Sequence, residues 1–220
     1  MSVTTDPGAA ATVAAPGGDT PARGSRPWPV VAALILGLLL GVAAGLLIPR
    51  FTHPGNDSAE AGFLRDMSTH HAQAVEMSML AHANSTNPRI VTLSGDIALT
   101  QHGQIGYMQA WLRDWDLSPT GTQPAMAWMP DSAGSVVNGL MPGMATPEQL
   151  DSLRKASGNA LDVQFLTLMR AHHLGGIHMA QEAIELSDDE NIDWLAQTMV
   201  SGQQSELALI DSLLKQTQGS

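Results

Sequence analysis

The sequence has no cysteine among its 220 residues, and its aromatic residues are few: five Trp, three Phe and one Tyr. The lack of cysteine excludes disulfides, thiolate-bound zinc and lipid attachment through cysteine. The scarcity of aromatic residues, in a chain rich in Ala, Leu and Met, favours helices over sheets. Basic residues are also few, 10 against 21 acidic ones, and the net charge of -11 argues against a nucleic-acid partner.

The N-terminal part of the chain differs in composition from the rest. Residues 1–27 are rich in Gly, Pro, Ala, Ser and Thr and lack apolar periodicity, which predicts a disordered cytoplasmic tail. Residues 28–49 contain an uncharged apolar run, 30–48, that is long enough to cross a bilayer. Because Arg23 and Arg26 precede this run, we expect a single-pass cell-membrane protein with residues 51–220 outside the cytoplasm. The alternative is a cleaved signal peptide, which leaves the same domain extracytoplasmic.

An internal repeat follows the apolar segment. Residues 63–112 align on residues 165–214 without a gap, with 12 identities in 50 positions. Both copies carry a histidine pair between two methionines, as "MSTHHAQAVEM" at 67–77 and "MRAHHLGGIHM" at 169–179. An internal duplication is the simplest explanation of this pattern.

Each copy is predicted to form a helical hairpin. Caps, breaks and apolar periodicity predict helices near 58–83, 88–114, 159–186 and 190–216, with Ser187 and Glu190 at capping-box spacing. Thr146, Pro147 and Gln149 predict a short additional helix. Two hairpins with a long crossover give an all-α, ferritin-like four-helix bundle. The bundle is expected at 58–217, after a linker at 50–57, with repeat one at 58–115, a Met-rich crossover at 116–146 and repeat two at 147–217.

The histidine pairs share the apolar face of their helices with the flanking methionines, whereas His178 faces solvent. Four buried histidines are costly unless each finds a hydrogen-bond partner or a metal. The candidate metal ligands are His70, His71, His172, His173, Met67, Met77, Met169 and Met179. The partner helices add buried polar residues that would support them: Gln101, Gln104, Gln203 and Glu206. It stays open whether the two histidine pairs form one site or two, and whether their helices lie side by side or diagonally.

Two main interpretations of these residues remain. In the first they bind a metal ion, and imidazole with thioether suits copper, particularly Cu(I), which makes a copper ion the expected cofactor. In the second the histidines form a hydrogen-bond network in a structural or interaction module. Oxidoreductase activity at a bound metal is a third possibility. No Glu-x-x-His or His-Glu-x-x-His motif is present, and no nucleophile or acid–base arrangement predicts catalytic residues.

Methionine also recurs in the crossover, as "MAWM" (Met126 and Met129) and "MPGM" (Met141 and Met144). In an exposed, flexible stretch such pairs would capture Cu(I) and pass it inward. The alternative, which we favour, is that they attach the crossover to the bundle surface.

These motifs resemble the family known as domain of unknown function 305, with a pattern M-x-x-H-H-x-x-A/G-x-x-M-A followed by Q-x-x-E-I-x-x-M. "MSTHHAQAVEM" and "MRAHHLGGIHMA" match its first element, and "QHGQIGYM" and "QQSELALI" match its second. The resemblance covers about residues 57–217. It implies a ferritin-like bundle, secreted or membrane-anchored, with copper binding in some members and ligands at the four histidines and nearby methionines named above. Gln104 replaces the family's Glu and Ile210 its second Met, which puts the symmetry of any site in question.

Overall fold

The computed structural model describes residues 1–2, 27–130, 132 and 134–218. Within these residues the regular structure is helical, and the β-type pairing is one isolated bridge between Val137 and Leu140. The helices are α1 (Trp28–Thr52), α2 (Ala59–Asn84), α3 (Pro88–Asp114), α4 (Pro147–Lys155), α5 (Gly158–Leu186) and α6 (Glu190–Gln218). The predicted all-α fold is confirmed. The tail predicted at 1–27 lies almost entirely outside the described residues.

The chain divides into two compact units, residues 1–49 and 50–220. In the first, the stretch Trp28–Leu46 of α1 is apolar, long enough to cross a membrane and free of buried side chains. The helix begins with a proline in its first turn, a favoured position. It continues through Pro49 to Thr52, beyond the predicted end at residue 49. Pro49 removes one helical hydrogen bond without ending the helix.

Local side-chain hydrogen bonds set the helix starts of the second unit. The Ser58 hydroxyl accepts the Ala61 N–H at the start of α2. At α4, Thr146 and Gln149 form the predicted reciprocal capping box. These short polar residues satisfy N–H groups that the first helical turn leaves without partners.

The start of α6 differs from the prediction. The Asp189 carboxylate, not a capping box of Ser187 with Glu190, accepts the N–H groups of Asn191 and Ile192. Because α6 begins at Glu190, Asp189 occupies the position immediately before it, where a short acidic side chain reaches the first free N–H groups.

The second unit is a bundle of two hairpins, α2 with α3 and α5 with α6, which meet mainly through α2 and α5. The first part of α2 and the last part of α5 contribute to one hydrophobic cluster. The last part of α2 and the first part of α5 contribute to a second hydrophobic cluster. The two helices are therefore antiparallel neighbours, which settles the side-by-side arrangement. The hairpins also meet through Tyr107 of α3 and Trp194 of α6, whose ring centroids are 5.9 Å apart.

The start of the crossover is anchored to α2 by two consecutive charged residues. The Arg65 guanidinium donates to the carbonyl of Ser118 at 3.0 Å. The Asp66 carboxylate accepts the Met126 N–H and the Trp128 indole N–H. Burial raises the pKa of Asp66, against the lowering effect of these hydrogen bonds. Both anchors hold the crossover against the bundle.

The crossover methionines are consequently not exposed. Met126, Met129 and Met141 are buried and belong to the first hydrophobic cluster, and Met144 packs against it. The prediction of an exposed, flexible capture segment is wrong. The packing agrees with the favoured alternative, in which the thioethers attach the crossover to the bundle.

Residues 141–145, which we call the strap, lie across the groove between α2 and α5. The Gln73 side-chain amide of α2 donates to the Ala145 carbonyl and accepts the Ala145 N–H. On the α5 side, a Cβ added to Gly175 would lie 1.9 Å from the Pro142 carbonyl oxygen. Gly143 has φ +80°, and a Cβ there would lie 2.3 Å from the Ala171 carbonyl oxygen. Glycine on both surfaces permits this close backbone contact.

We expect Gly175→Ala to destabilise the bundle by roughly 1–3 kcal/mol, because the new methyl group overlaps the strap backbone. Gly202→Ala is the matched control, since a Cβ at this position of α6 meets nothing within 4 Å. The control should stabilise the helix by about 0.5–1 kcal/mol. Urea unfolding of the full chain in mild detergent, followed by tryptophan fluorescence, measures both changes. Equal stabilisation of the two variants would show that the strap is not seated on Gly175.

Candidate metal centre

The four paired histidines lie together at the middle of the bundle, where α2 and α5 cross. The rings of His70 and His172 are in contact, with centroids 3.8 Å apart and planes inclined by 35°. All four side chains are fully buried, at 0–1% exposure. Since His70 and His172 are equivalent in the repeat, the pseudo-twofold axis of the duplication passes between them. The two pairs form one cluster, the histidine layer (His70, His71, His172 and His173).

Three imidazoles of this layer use Nε2 as a hydrogen-bond donor. Their acceptors are the Pro142 carbonyl for His70 (3.0 Å), Gln104 Oε1 for His71 (2.8 Å) and Glu206 Oε2 for His173 (2.6 Å). Because these oxygens accept a proton from Nε2, the neutral form of each ring has its lone pair on Nδ1. All three Nδ1 atoms are buried without a hydrogen-bond partner. The layer therefore contains three oriented Nδ1 atoms without a hydrogen-bond partner.

Other polar atoms around the layer also lack partners. Nε2 of His172 is buried without a hydrogen bond, as are both amide atoms of Gln101 and Nε2 of Gln203. Such atoms are uncommon in protein interiors, since an unpaired buried polar group costs about 1–3 kcal/mol. Their concentration at one place is the property expected of a ligand-binding region.

Burial controls the charge of the layer. It lowers the pKa of His70 to about 4, with the neighbouring His173 lowering it further and the bond to Pro142 opposing. It lowers the pKa of His71 to about 3, and it moves the pKa of His172 well below its ordinary value. These imidazoles are therefore neutral at physiological pH, which is the form that binds metals.

The flanking methionines lie on both sides of the histidine layer. Met67 and Met179 belong to the first hydrophobic cluster, whereas Met77 and Met169 belong to the second. All four are fully buried. Met67 precedes His70 by one helical turn on the same face, and the repeat places Met169 and His172 in the same relation. Thioether sulfur is thus available next to each histidine pair.

The four supporting residues predicted from the sequence are buried or partly buried, but they differ in their contacts. Gln104 and Glu206 bind His71 and His173 directly. Gln101 has no side-chain hydrogen bond, and Gln203 packs against Gly176, where an added Cβ would lie 2.6 Å from Oε1.

The ligand types restrict the metals that could bind here. Within the described residues, no three His, Cys, Asp or Glu side chains are grouped so that they could hold one ion. A four-coordinate zinc site with a full nitrogen and oxygen shell is therefore not preformed. The remaining combination is imidazole nitrogen with methionine sulfur, which suits a soft ion.

The strap's part in this region could not be predicted from side-chain patterns in the sequence. The Pro142 carbonyl that orients His70 is a backbone group, which no side-chain pattern reveals. The sequence around Gln73 does not distinguish it from other polar helix residues. The signal that was present is the Gly175–Gly176 pair inside a helix, since glycine there is unfavourable unless another group approaches closely.

The fold and the buried histidine–methionine layer define a class of helical-bundle proteins with a candidate metal centre. A family model described as "Domain of unknown function (DUF305)" matches residues 60–214. The chain belongs to the DUF305 family.

Solved structures with the same fold agree with this assignment. A DUF305 protein from Streptomyces coelicolor, described as secreted, is 39% identical, with a TM-score of 0.68 and coverage of 74% of this chain and 96% of that chain. A DUF305 fragment from Deinococcus radiodurans is 26% identical, with a TM-score of 0.59 and coverage of 72% and 96%. CopM in its Cu(II)-bound form is 23% identical, with a TM-score of 0.56 and coverage of 72% and 97%, a likeness of fold. No match was found among proteins of curated function.

The metal-free protein should lose stability as the pH falls from about 6.5 toward 4. Unfolded histidine titrates near pH 6.5, but His70 and His71 stay neutral in the folded chain down to about pH 4 and about pH 3. Over this range the unfolded state binds more protons, so the free energy of unfolding falls with pH. His70→Asn should reduce proton uptake on unfolding at pH 5 by about one.

Urea unfolding at a series of pH values, with a chelator present, measures this uptake. The exposed His178, five residues after His173 on α5, provides the control. His178→Asn should leave the proton uptake that arises from the histidine layer unchanged. Unchanged proton uptake in His70→Asn would show that His70 is not held neutral by burial.

Proposed function

We propose that residues 50–220 bind copper at the histidine layer, outside the cytoplasmic membrane, and that the protein sequesters or delivers this metal. The observation that carries the proposal is the set of three buried Nδ1 lone pairs, each oriented by an Nε2–H donated to an oxygen. Metal-binding histidines characteristically donate their second ring nitrogen to a carboxylate, carbonyl or similar acceptor, which fixes the tautomer.

The residues present fit copper better than other common metals. His70, His71, His172 and His173 would supply neutral nitrogen, and Met67, Met77, Met169 and Met179 would supply sulfur. When bound, copper would act as a soft Lewis acid for these donors. The chain's own contribution is to fix the imidazoles and to keep water away through the hydrophobic clusters on both sides of the layer.

The comparisons support the proposal to a limited extent. CopM has been solved in Cu(II)-bound, Cu(I)-bound and Ag-bound forms, at 20–23% identity to this chain. Identity at that level relates the folds, so the copper assignment for this chain depends on its own histidines and methionines.

The proposed location follows from α1. Its apolar stretch has the length of a membrane anchor, and the arginines before it favour a cytoplasmic N-terminus. A membrane-tethered bundle would then bind its metal on the side of the cytoplasmic membrane that faces away from the cytoplasm. Cleavage of α1 as a signal segment would release the same bundle, and the related Streptomyces coelicolor protein is described as secreted.

A structural role is the competing function, and one observation favours it. The hydrogen bonds from His71 to Gln104 and from His173 to Glu206 already satisfy one nitrogen of each ring. If the role is structural, the histidine layer only specifies how the helices pack, and the remaining ring nitrogens bind no metal.

The full chain in mild detergent should bind Cu(I) saturably in competition with a chromophoric chelator. The quadruple variant His70→Ala, His71→Ala, His172→Ala, His173→Ala should lose this binding, because it removes the nitrogen donors. A second variant, Met67→Leu with Met169→Leu, keeps the core volume and should weaken Cu(I) binding without abolishing it. Zn(II) should bind the wild-type chain far more weakly than Cu(I) does.

The control for this titration is His102→Ala with His178→Ala, which removes two exposed histidines outside the layer and should leave the Cu(I) affinity unchanged. Circular dichroism verifies that each variant is folded. If wild type fails to compete with the chelator, the copper function is wrong, and a stability loss in the quadruple variant would then assign the histidines to packing.

A further inference from the structure

The two copies of the repeat differ at two hydrogen bonds of the histidine layer. His70 donates to the strap carbonyl of Pro142, whereas Nε2 of the equivalent His172 has no partner, and the second histidines of the two pairs have different acceptors. Copy one donates His71 Nε2–H to the neutral amide of Gln104, and copy two donates His173 Nε2–H to the carboxylate of Glu206. The acceptors are equivalent in the repeat, and the histidine pairs and flanking methionines are identical. We define half-site one as Met67, His70, His71 and Gln104, and half-site two as Met169, His172, His173 and Glu206.

The carboxylate makes His173 the stronger donor of its free lone pair. Its hydrogen bond to Glu206 is shorter than that of His71 to Gln104, 2.6 Å against 2.8 Å, and it is charge-assisted. A carboxylate that accepts from a metal-binding histidine raises the basicity of the other ring nitrogen. Nδ1 of His173 therefore binds a cation better than Nδ1 of His71.

Charge balance favours the same half-site and also selects the charge of the ion. Glu206 is 22% exposed beside the fully buried His173, so its charge is only partly screened by water. A monovalent cation in half-site two is neutralised by this carboxylate. A monovalent cation in half-site one leaves an uncompensated positive charge in the core, which is costly, because Gln104 is neutral. A divalent cation leaves an uncompensated positive charge in either half-site.

The contact between the two copies adds to the inequality. The ring centroids of His70 and His172 are 3.8 Å apart. One ion in half-site one and another in half-site two would therefore lie near each other in a buried region. Two cations repel strongly where water does not screen them. Occupation of one half-site therefore opposes occupation of the other.

Resting on the proposed copper function, we propose that half-site two takes the first metal ion, and that this ion is a soft monovalent cation. Half-site one fills only at higher metal concentration. Glu206 acts through His173 as a positioning and charge-balancing residue, and the Gln104–Glu206 difference sets the order of loading.

The order can be tested with Ag(I), a redox-inert soft cation, titrated into the full chain in mild detergent and chloride-free buffer against a competing chelator. Glu206→Gln should weaken binding of the first ion by about 10- to 100-fold. Gln104→Glu should strengthen binding of the second ion. The double exchange Gln104→Glu with Glu206→Gln should recover tight binding of the first ion and move it to His71, as followed by the ring ¹⁵N signals of His71 and His173.

The matched control is Glu185→Gln, which removes an exposed carboxylate from α5 and should leave the first affinity unchanged. A purely structural role for Glu206 predicts no gain from Gln104→Glu, so this variant distinguishes the roles even if Glu206→Gln fails to fold. First-ion affinity unchanged in Glu206→Gln, or no effect of Gln104→Glu, overturns the loading order while copper binding stands. Absence of both Ag(I) and Cu(I) binding in wild type overturns both proposals.

Discussion

The contact of His70 with His172 at the crossing of α2 and α5 is the point on which the arrangement of the bundle depends. Because these residues are equivalent in the two copies, the helices meet antiparallel about a pseudo-twofold axis. Apolar residues from opposite ends of α2 and α5 then form two hydrophobic clusters, one on each side of the polar layer. A core interrupted in this way is less stable than a continuous apolar one would be, unless its polar atoms are satisfied. That cost is the physical reason to associate the layer with a ligand.

The crossover breaks the symmetry of the duplication. Gln73 and Gly175 are equivalent positions, yet the first binds the strap through its side chain and the second leaves space for the strap backbone. In the part of the chain that the structure describes, a single strap crosses the groove, so the two copies face different neighbours despite their common pattern. The strap also supplies the carbonyl that orients His70. Divergence after duplication thus has a structural basis in this chain, and the Gln104–Glu206 difference adds an electrostatic one.

Neutral, buried imidazoles connect the stability of the bundle with its proposed function. Burial keeps His70, His71 and His172 unprotonated, and the acceptors at Nε2 of His70 and His71 fix which nitrogen of those two rings carries the proton. The same two properties are required of a metal ligand, which must be neutral and oriented before the ion arrives. The arrangement is unfavourable for a core that only needs to pack, but it suits one that binds a soft ion.

The sequence by itself determined the helices and the identity of the layer. Caps such as Ser58 and Thr146, the apolar periodicity and the repeated histidine–methionine pattern act over a few residues, so local physics was sufficient to place them. Local physics failed at the crossover, whose methionines are buried because Arg65 and Asp66 anchor it from a distant part of the chain. Only the tertiary structure decided that the two histidine pairs form one cluster, that α2 and α5 are neighbours, and that a backbone carbonyl orients His70. Those features depend on contacts between residues far apart in the chain, whose energies no local pattern records.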